Sequence, residues 1–245
     1  MKKNESNQLI VLLRGTISGL ERSRRSHNFV LSQNQHQQIG ATAIAASAMD
    51  MGAAGLGLVS MSENSNEEAD WVEFNIGNKK IRGWLWMMPM RNGDIVEIVA
   101  ELTGEDHYLT YAVKRDGDEL LAVYPHATAG RKVHFRKSAK IWLWSSLLAY
   151  TFPLAILVTH KGFASLLDPD ILFGLLILFV FCMLASAIIA FRISRKFMKF
   201  VRTAELIFKT FGWTDIENID LRKTSIENSR ENKLSNFGTL YFRYK

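Results

Sequence analysis

Few side chains in this sequence have a type and spacing that could do chemistry, and each has an ordinary alternative. His126 and His134 lie eight residues apart, with His107 further upstream. A zinc site needs three or four convergent nitrogen or sulfur ligands. No third ligand stands near the pair, so surface or hydrogen-bonded histidines are the expectation. Trp84 and Trp86, two residues apart, share one face of a strand. They read as sheet packing, with a ligand platform as the sharper alternative. Asp94 and Asp116 fall beside Gly93 and Gly117, where aspartate serves turns. The one cysteine, Cys182, sits inside an apolar block and reads as a small buried hydrophobe. It can build neither a disulfide framework nor a thiolate metal site. No phosphate-binding loop, nucleophile elbow, paired-carboxylate pattern or dinucleotide fingerprint is present. The expectation is a protein that is not an enzyme and takes no cofactor.

The elements that would hold these residues are dominated by two uncharged stretches, 141–159 (IWLWSSLLAYTFPLAILVT) and 171–191 (ILFGLLILFVFCMLASAIIAF). At about 1.5 Å per residue, each can cross a hydrocarbon core of about 30 Å. A soluble helix of this length would show a polar stripe. Trp142, Trp144 and Tyr150 include interfacial anchors, and Pro153 predicts a kink. Ser145, Ser146 and Thr151 stand close enough to re-satisfy the backbone there. Arg131, Lys132, Arg136, Lys137 and Lys140 precede the first stretch, and Arg192, Arg195, Lys196, Lys199 and Arg202 follow the second. The connector carries only Lys161 against Asp168 and Asp170. The positive-inside rule then places both termini in the cytoplasm and the connector outside, in a multi-pass membrane protein; in a bacterium that membrane is the inner one and the outside is the periplasm. The run LIVLL after MKKNESNQ stops at Arg14, too short for a secretory signal. The net charge of +6 is thereby assigned to a membrane surface rather than to nucleic acid. No ionisable side chain lies within either stretch, which weighs against proton-coupled transport. A pore lined by hydroxyls or backbone stays open.

Between residues 62 and 140 the signals are strands and turns. WVEFNI and KKIRGWLWMM flank Gly77-Asn78, a two-residue hairpin signal. In DIVEIVAEL, Ile95, Val96, Ile98 and Val99 leave Glu97 and Glu101 exposed. TYAVKRDGDELLAVYPH reads as a hairpin turning at Asp116-Gly117, and VHFRK as a short last strand. Upstream, residues 1–38 contribute LIVLLRGTISGLE as a further strand, with bends at Gly15 and Gly19. Five to seven short strands favour a small OB-like or SH3-like barrel, or a simpler sheet. After the hairpin, 192–245 opens with RKFMKFVRTAELIFKTFGW, an amphipathic helix capped at Gly212. It either lies on the anionic leaflet or packs on the sheet. FGTLYFRYK could return as an edge strand.

Residues 39–61 form an Ala/Gly-rich stretch with a single charge, Asp50. A single crossing there would place a basic flank, Arg22, Arg24 and Arg25 or the run to Lys140, on the wrong side. A cytosolic helical insert is therefore expected, packed through Ala41 and Ala45, Ala48 and Gly52, and Ala53 and Gly57, each pair four apart. It would help assemble or line the membrane state. SENSNEEAD reads as a solvated linker into the sheet. The fold class is thus an α+β membrane protein: a cytoplasmic β-domain with a helical insert, a two-helix transmembrane hairpin and a basic amphipathic helix.

The order of LLRGTISGLE, NGDIVEIVAE, DELLAVYPHATAGRKVHFR, the hairpin and RTAELIFKTFGWTDIENIDL resembles a bacterial family of type VI secretion system effectors. The resemblance covers most of the chain, and no catalytic motif comes with it. It implies association with a contact-dependent injection machine, and an action by oligomeric insertion into a target's inner membrane that dissipates ion gradients. The implied partners are the lipid bilayer, further copies of the chain, type VI secretion components and a cognate immunity protein. The same topology fits a resident inner-membrane accessory or immunity protein whose β-domain binds a secretion component or toxin.

Overall fold

A computed structural model describes residues 9–27, 29, 67–229 and 236–244. The insert at 39–61, with Ala41, Ala45, Ala48, Gly52, Ala53 and Gly57, lies outside the described residues. The chain divides into two compact units, Met1–Gly130 with Phe200–Lys245, and Arg131–Lys199.

The first unit is a mixed sheet. Its strands are β1 (Ile10–Thr16), β2 (Ser18–His27), β3 (Glu67–Ile76), β4 (Lys79–Leu85), β5 (Ile95–Gly104), β6 (His107–Arg115), β7 (Leu120–Val123) and β8 (Phe242–Arg243). The order is β1-β5-β6-β4-β3-β2, with β7 joining β6 and β8 joining β7. Only Ile17 separates β1 from β2, and the register shifts between Ser18 and Glu21, where Gly19 has φ 62°. One bent stretch of chain therefore pairs with β5 at one end of the order and β3 at the other. Every pairing is antiparallel except a short parallel contact, Lys80–Arg82 of β4 with His107–Leu109 of β6. Close approach at this turn-back needs glycine: a Cβ on Gly15 would sit 2.3 Å from Ile76 Cγ2, and one on Gly83 would sit 2.6 Å from the Thr110 carbonyl.

Alternation along the strands builds two apolar layers. Val72, Phe74, Ile81, Leu85, Val96, Ile98, Val113 and Ala122 point into the sheet's own core with Met88 and Met90. Val99, Ala112, Leu121 and Val123 point the other way and meet Ala204, Ile207 and Phe208. The run LLAV of β7 is apolar at every position because both of its faces are covered. The covering helix explains one departure from the sequence reading. Glu97 and Glu101 are half-buried rather than exposed: Lys114 Nζ reaches Glu97 at 2.8 Å, and the Tyr111 hydroxyl donates to Glu101 at 2.6 Å. Ile95, by contrast, is half exposed.

Two long helices follow, α1 (Arg131–Lys161) and α2 (Pro169–Thr210), joined by a 3-10 turn at Phe163–Leu167. Both are long and apolar enough to cross a membrane. VHFRK is not a strand; it forms the first turns of α1. Five alternating residues cannot by themselves outweigh propagation of a helix already nucleated downstream, which adds one hydrogen bond per residue. Nor is the basic amphipathic helix separate: α2 runs through it, since no glycine or proline interrupts residues 191–210. Its turns from Phe200 onward bury Phe200, Val201, Ala204, Ile207 and Phe208, and Gly212 ends it at φ 75°. This apolar face is taken by the sheet and is not left for a lipid leaflet. A short helix α3 (Leu221–Ser229) precedes β8, the strand expected from the C-terminal sequence.

Candidate functional site

Within Arg131–Lys199, polar groups are rare and are used between the two helices. The Trp142 indole donates to Ser186 Oγ at 3.1 Å, Ser186 and Ser146 hydroxyls meet at 2.7 Å, and Ser146 Oγ donates to the Trp142 carbonyl at 2.7 Å. The Ser186 hydroxyl has two acceptors in reach, Ser146 Oγ and the Met183 carbonyl at 3.0 Å, so the indole and the two hydroxyls form a hydrogen-bonded cluster between the helices. Small hydroxyl residues allow close helix approach in lipid, and mutual donation avoids unpaired polar groups there. Further along, the Tyr150 hydroxyl donates to the Leu175 carbonyl at 3.4 Å, and its ring meets Phe179 edge-on at 5.1 Å. Toward the other end, His134 Nε2 lies 2.9 Å from Ser194 Oγ. Ser145, Thr151 and Thr159 donate to carbonyls of their own helix. Those carbonyls belong to Trp142, Leu148 and Ile156, not to Ala149, the one left without a helix donor by Pro153. The outward faces carry Leu143, Trp144, Leu148, Phe152, Phe173, Ile177, Phe181, Leu184 and Ile188, all exposed. Cys182 is half-buried rather than buried.

The basic residues expected to face a membrane surface are all exposed. Arg131, Lys132, Arg136, Lys137 and Lys140 occupy the first turns of α1, while Arg192, Arg195, Lys196, Lys199 and Arg202 lie along α2. Arg195 sits over the Phe191 ring at 5.7 Å.

In the sheet unit, the histidines make ordinary contacts. His126 Nε2 lies 2.6 Å from Glu67 Oε2, with its ring between Trp86 at 5.0 Å and Phe200 at 4.9 Å. His107 Nδ1 lies 2.6 Å from the Glu105 carbonyl oxygen. No group of three His, Cys, Asp or Glu that could hold a metal occurs among the described residues. Trp84 and Trp86 pack on the sheet: Trp84 meets Trp71 directly across the β3–β4 ladder, and His27 stacks on it at 5.1 Å.

The outward face of β2, β3 and β4 is the part of this unit that offers a candidate site. It carries Ser23, Trp71, Trp84 and a ladder in which Glu73 stands opposite both Glu21 and Arg82. The Trp71 indole donates to Glu73 at 2.7 Å. A cleft of about 320 Å³ on this face is lined by Glu21, Glu73, Asn75, Lys80, Arg82 and His107. Arg25, Lys80 and Arg82 make no ion pair among the described residues.

Elsewhere the charges are committed. Asp70, buried, accepts Arg24 Nη1 at 3.0 Å and the Met88 amide at 2.8 Å, while Arg24 also donates to the Trp86 carbonyl. Arg22 donates to the Met88 carbonyl at 3.2 Å. These contacts hold the β4–β5 connection against β2, a use that the arginines' value as topology markers had concealed. Burial works to lower the Lys114 pKa, but the hydrogen bonds it donates to Glu97 and Glu119 overcome it and hold the ammonium above its ordinary range. The hydrogen bond from Arg115 holds the Asp118 carboxyl below its ordinary range, against some desolvation. Burial, then the bond to Glu101, pushes the Tyr111 phenol well up. None of these shifted groups lies in the cleft, and their partners are structural. The Ser146–Ser186 pair could have been suspected from hydroxyls inside apolar runs, but nothing in a single sequence says which two helices' positions meet. No family model, curated protein or solved structure matches the chain.

Proposed function

We propose that this chain is a bacterial inner-membrane protein with both termini in the cytoplasm, whose helical hairpin anchors a β-domain that binds a partner protein. In this reading it belongs to the accessory or immunity side of a secretion system and performs no catalysis. The observation that carries the reading is the hydrogen-bonded cluster of Trp142, Ser146 and Ser186 between the two helices. It commits hydroxyls and an indole to holding the hairpin together and leaves uncharged apolar faces outward. Such faces suit lipid, whereas a pore wall needs polar side chains, charges or free backbone. The strand order, returning to the bent β1–β2 stretch with one parallel contact, supports a Greek-key closure of the OB type, a fold that binds ligands on an outer sheet face.

The second reading, an effector that oligomerises into a pore, is favoured by the segment order that resembles type VI secretion effectors. Expression in a susceptible bacterium, followed with a voltage-sensitive dye, separates the two. An anchor leaves membrane potential and growth unchanged when the protein is confirmed in the membrane. Collapse of the potential, abolished by Ser146→Ala with Ser186→Ala, would establish the pore instead.

A further inference from the structure

We propose that the basic end of the helical hairpin holds a shell of anionic phospholipid, its cations taking the phosphodiester headgroups of phosphatidylglycerol in preference to zwitterionic lipid. This rests on the reading of the hairpin as a membrane anchor and names the lipid that the anchor selects.

The positive charge of the chain is concentrated in the hairpin. Residues 131–199 hold ten of the 30 Lys and Arg residues but two of the 24 acids, a net +8, which leaves the rest of the chain at −2. Nine of those ten cations lie in two runs, 131–140 and 192–199, while both acids, Asp168 and Asp170, lie at the connector with Lys161. The residues outside the described structure cannot supply the missing countercharge. They carry four acids, Glu5, Asp50, Glu63 and Glu231, against five Lys and Arg residues. The basic end therefore meets its countercharge outside the chain.

Two contacts set the height of these charges. His134 meets Ser194 at 2.9 Å and Trp142 meets Ser186 at 3.1 Å. The antiparallel helices thus put Arg136 level with Arg192, each two residues from the first contact and six from the second. Lys140 is the last charge before one apolar run, and Arg192 is the first after the other. At about 1.5 Å per residue, Arg136 to Lys140 and Arg192 to Arg195 each span about 6 Å of helix or less, the depth of a headgroup layer. Large apolar side chains stand exposed among the cations: Phe135, Ile141, Phe191 and Ile193. A soluble polyanion would leave these in water. At a bilayer they reach the acyl boundary, while the Lys and Arg stems extend to the phosphates. Guanidinium groups grip phosphate oxygens in pairs, and ammonium groups add point charge. A zwitterionic headgroup presents the same phosphate with its own cation beside it, so the attraction is weaker. Phosphatidylglycerol has no such competitor.

The test reconstitutes the full chain in phosphatidylcholine bilayers with a trace of spin-labelled phosphatidylglycerol or phosphatidylcholine. The motionally restricted fraction of each label reports its association with the protein. Phosphatidylglycerol should associate roughly threefold or more over phosphatidylcholine at low salt, and approach it as salt is raised. Arg136→Gln with Lys140→Gln and Arg192→Gln should bring the two labels close to parity, whereas Lys161→Gln at the connector leaves the preference unchanged. If the triple variant does not insert, Arg192→Gln alone should lower the preference. Equal association of the two labels, a preference indifferent to these variants, or one lost through Lys161→Gln would overturn the proposal. So would its removal by inorganic phosphate at constant ionic strength, which marks a free-phosphate site, or by oligothymidylate or polyglutamate, which marks a site for a soluble polyanion. Equal association with an undisturbed membrane potential overturns this inference alone, and a collapsed potential overturns the anchor reading beneath it.

Discussion

Over β5, β6 and β7 the outward residues Val99, Ala112, Leu121 and Val123 are small or aliphatic, and the C-terminal turns of α2 lie on them. Over β2, β3 and β4 the outward residues are Ser23, Glu73, Arg82 and two tryptophans; the rings of His27 and Phe29 lie on Trp84, and no described helix covers the face. The two halves belong to one sheet and share one core, so backbone geometry does not separate them. Side-chain chemistry does. The covered half also keeps its charges inside short networks, Lys114 with Glu97 and Glu119, and Arg115 with Asp94 and Asp118. In the open half Arg25, Lys80 and Arg82 make no ion pair among the described residues.

The widest expected contrast is between one aromatic on each half. Phe208 is fully buried and stacks on Trp213 at 5.4 Å. Phe208→Ala should cost about 3–5 kcal/mol in denaturant unfolding of the detergent-solubilised protein, the usual loss for a buried phenylalanine. Trp71→Ala, on the open half, should cost about 1 kcal/mol through its edge contact with Trp84. Equal losses would abolish the distinction between the halves.

Gly83 sharpens the comparison from below, since it lies at the parallel β4–β6 contact on which the open half is hung. A Cβ there would press on the Thr110 carbonyl at 2.6 Å and its Cγ2 at 2.8 Å. Gly83→Ala should destabilise by about 1–3 kcal/mol by overpacking. Increased hydrogen exchange should appear first at Lys80–Arg82 and His107–Leu109. Loss spread evenly over β5 and β7 would mean that the two halves are not separable at this seam.

How far these regions could be read in advance differs for the same physical reason. Hairpin turns at Gly77-Asn78 and Asp116-Gly117, the bend at Gly19 and the two apolar helices are written locally, in glycines, aspartates and unbroken hydrophobic runs. Partnership between distant residues is not. That Ser146 meets Ser186, that His126 meets Glu67, or that Asp70 receives both Arg24 and the Met88 amide depends on chain crossings no local pattern encodes. VHFRK shows the converse failure: its alternation was legible as a strand, but the helix beginning at Arg131 had the longer cooperative run. The insert expected to pack through Ala41, Ala45, Ala48, Gly52, Ala53 and Gly57 belongs to the residues outside the described structure.

Acid should act on the covered half through Asp118. Asp118 is held below the ordinary carboxylate range by Arg115, so the folded state favours its charged form. Its contribution to stability is fully present above that range and is lost as pH falls through it, because the unfolded chain then binds the proton more readily. The group is partly exposed, so the loss is small. Asp118→Asn should remove this part of the acid dependence while leaving stability at neutral pH slightly reduced. Fluorescence of Trp213, on the covered half, should follow the transition before exchange rates on β2 change.

The smallest stability change is the most informative. Arg25→Gln should alter unfolding free energy by no more than about 0.5 kcal/mol, as expected for an exposed side chain with no ion pair among the described residues. Arg24→Gln, one residue earlier, removes a donor from buried Asp70 and should cost about 1–3 kcal/mol. The two residues are adjacent on the same strand and carry the same charge, yet one serves the fold and the other does not. If Arg25→Gln proved as damaging as Arg24→Gln, its charge would be structural, and the open half would be an ordinary solvated face. If it is silent in unfolding, the stability of this strand is carried by one of two neighbouring arginines that differ in which side of β2 they occupy.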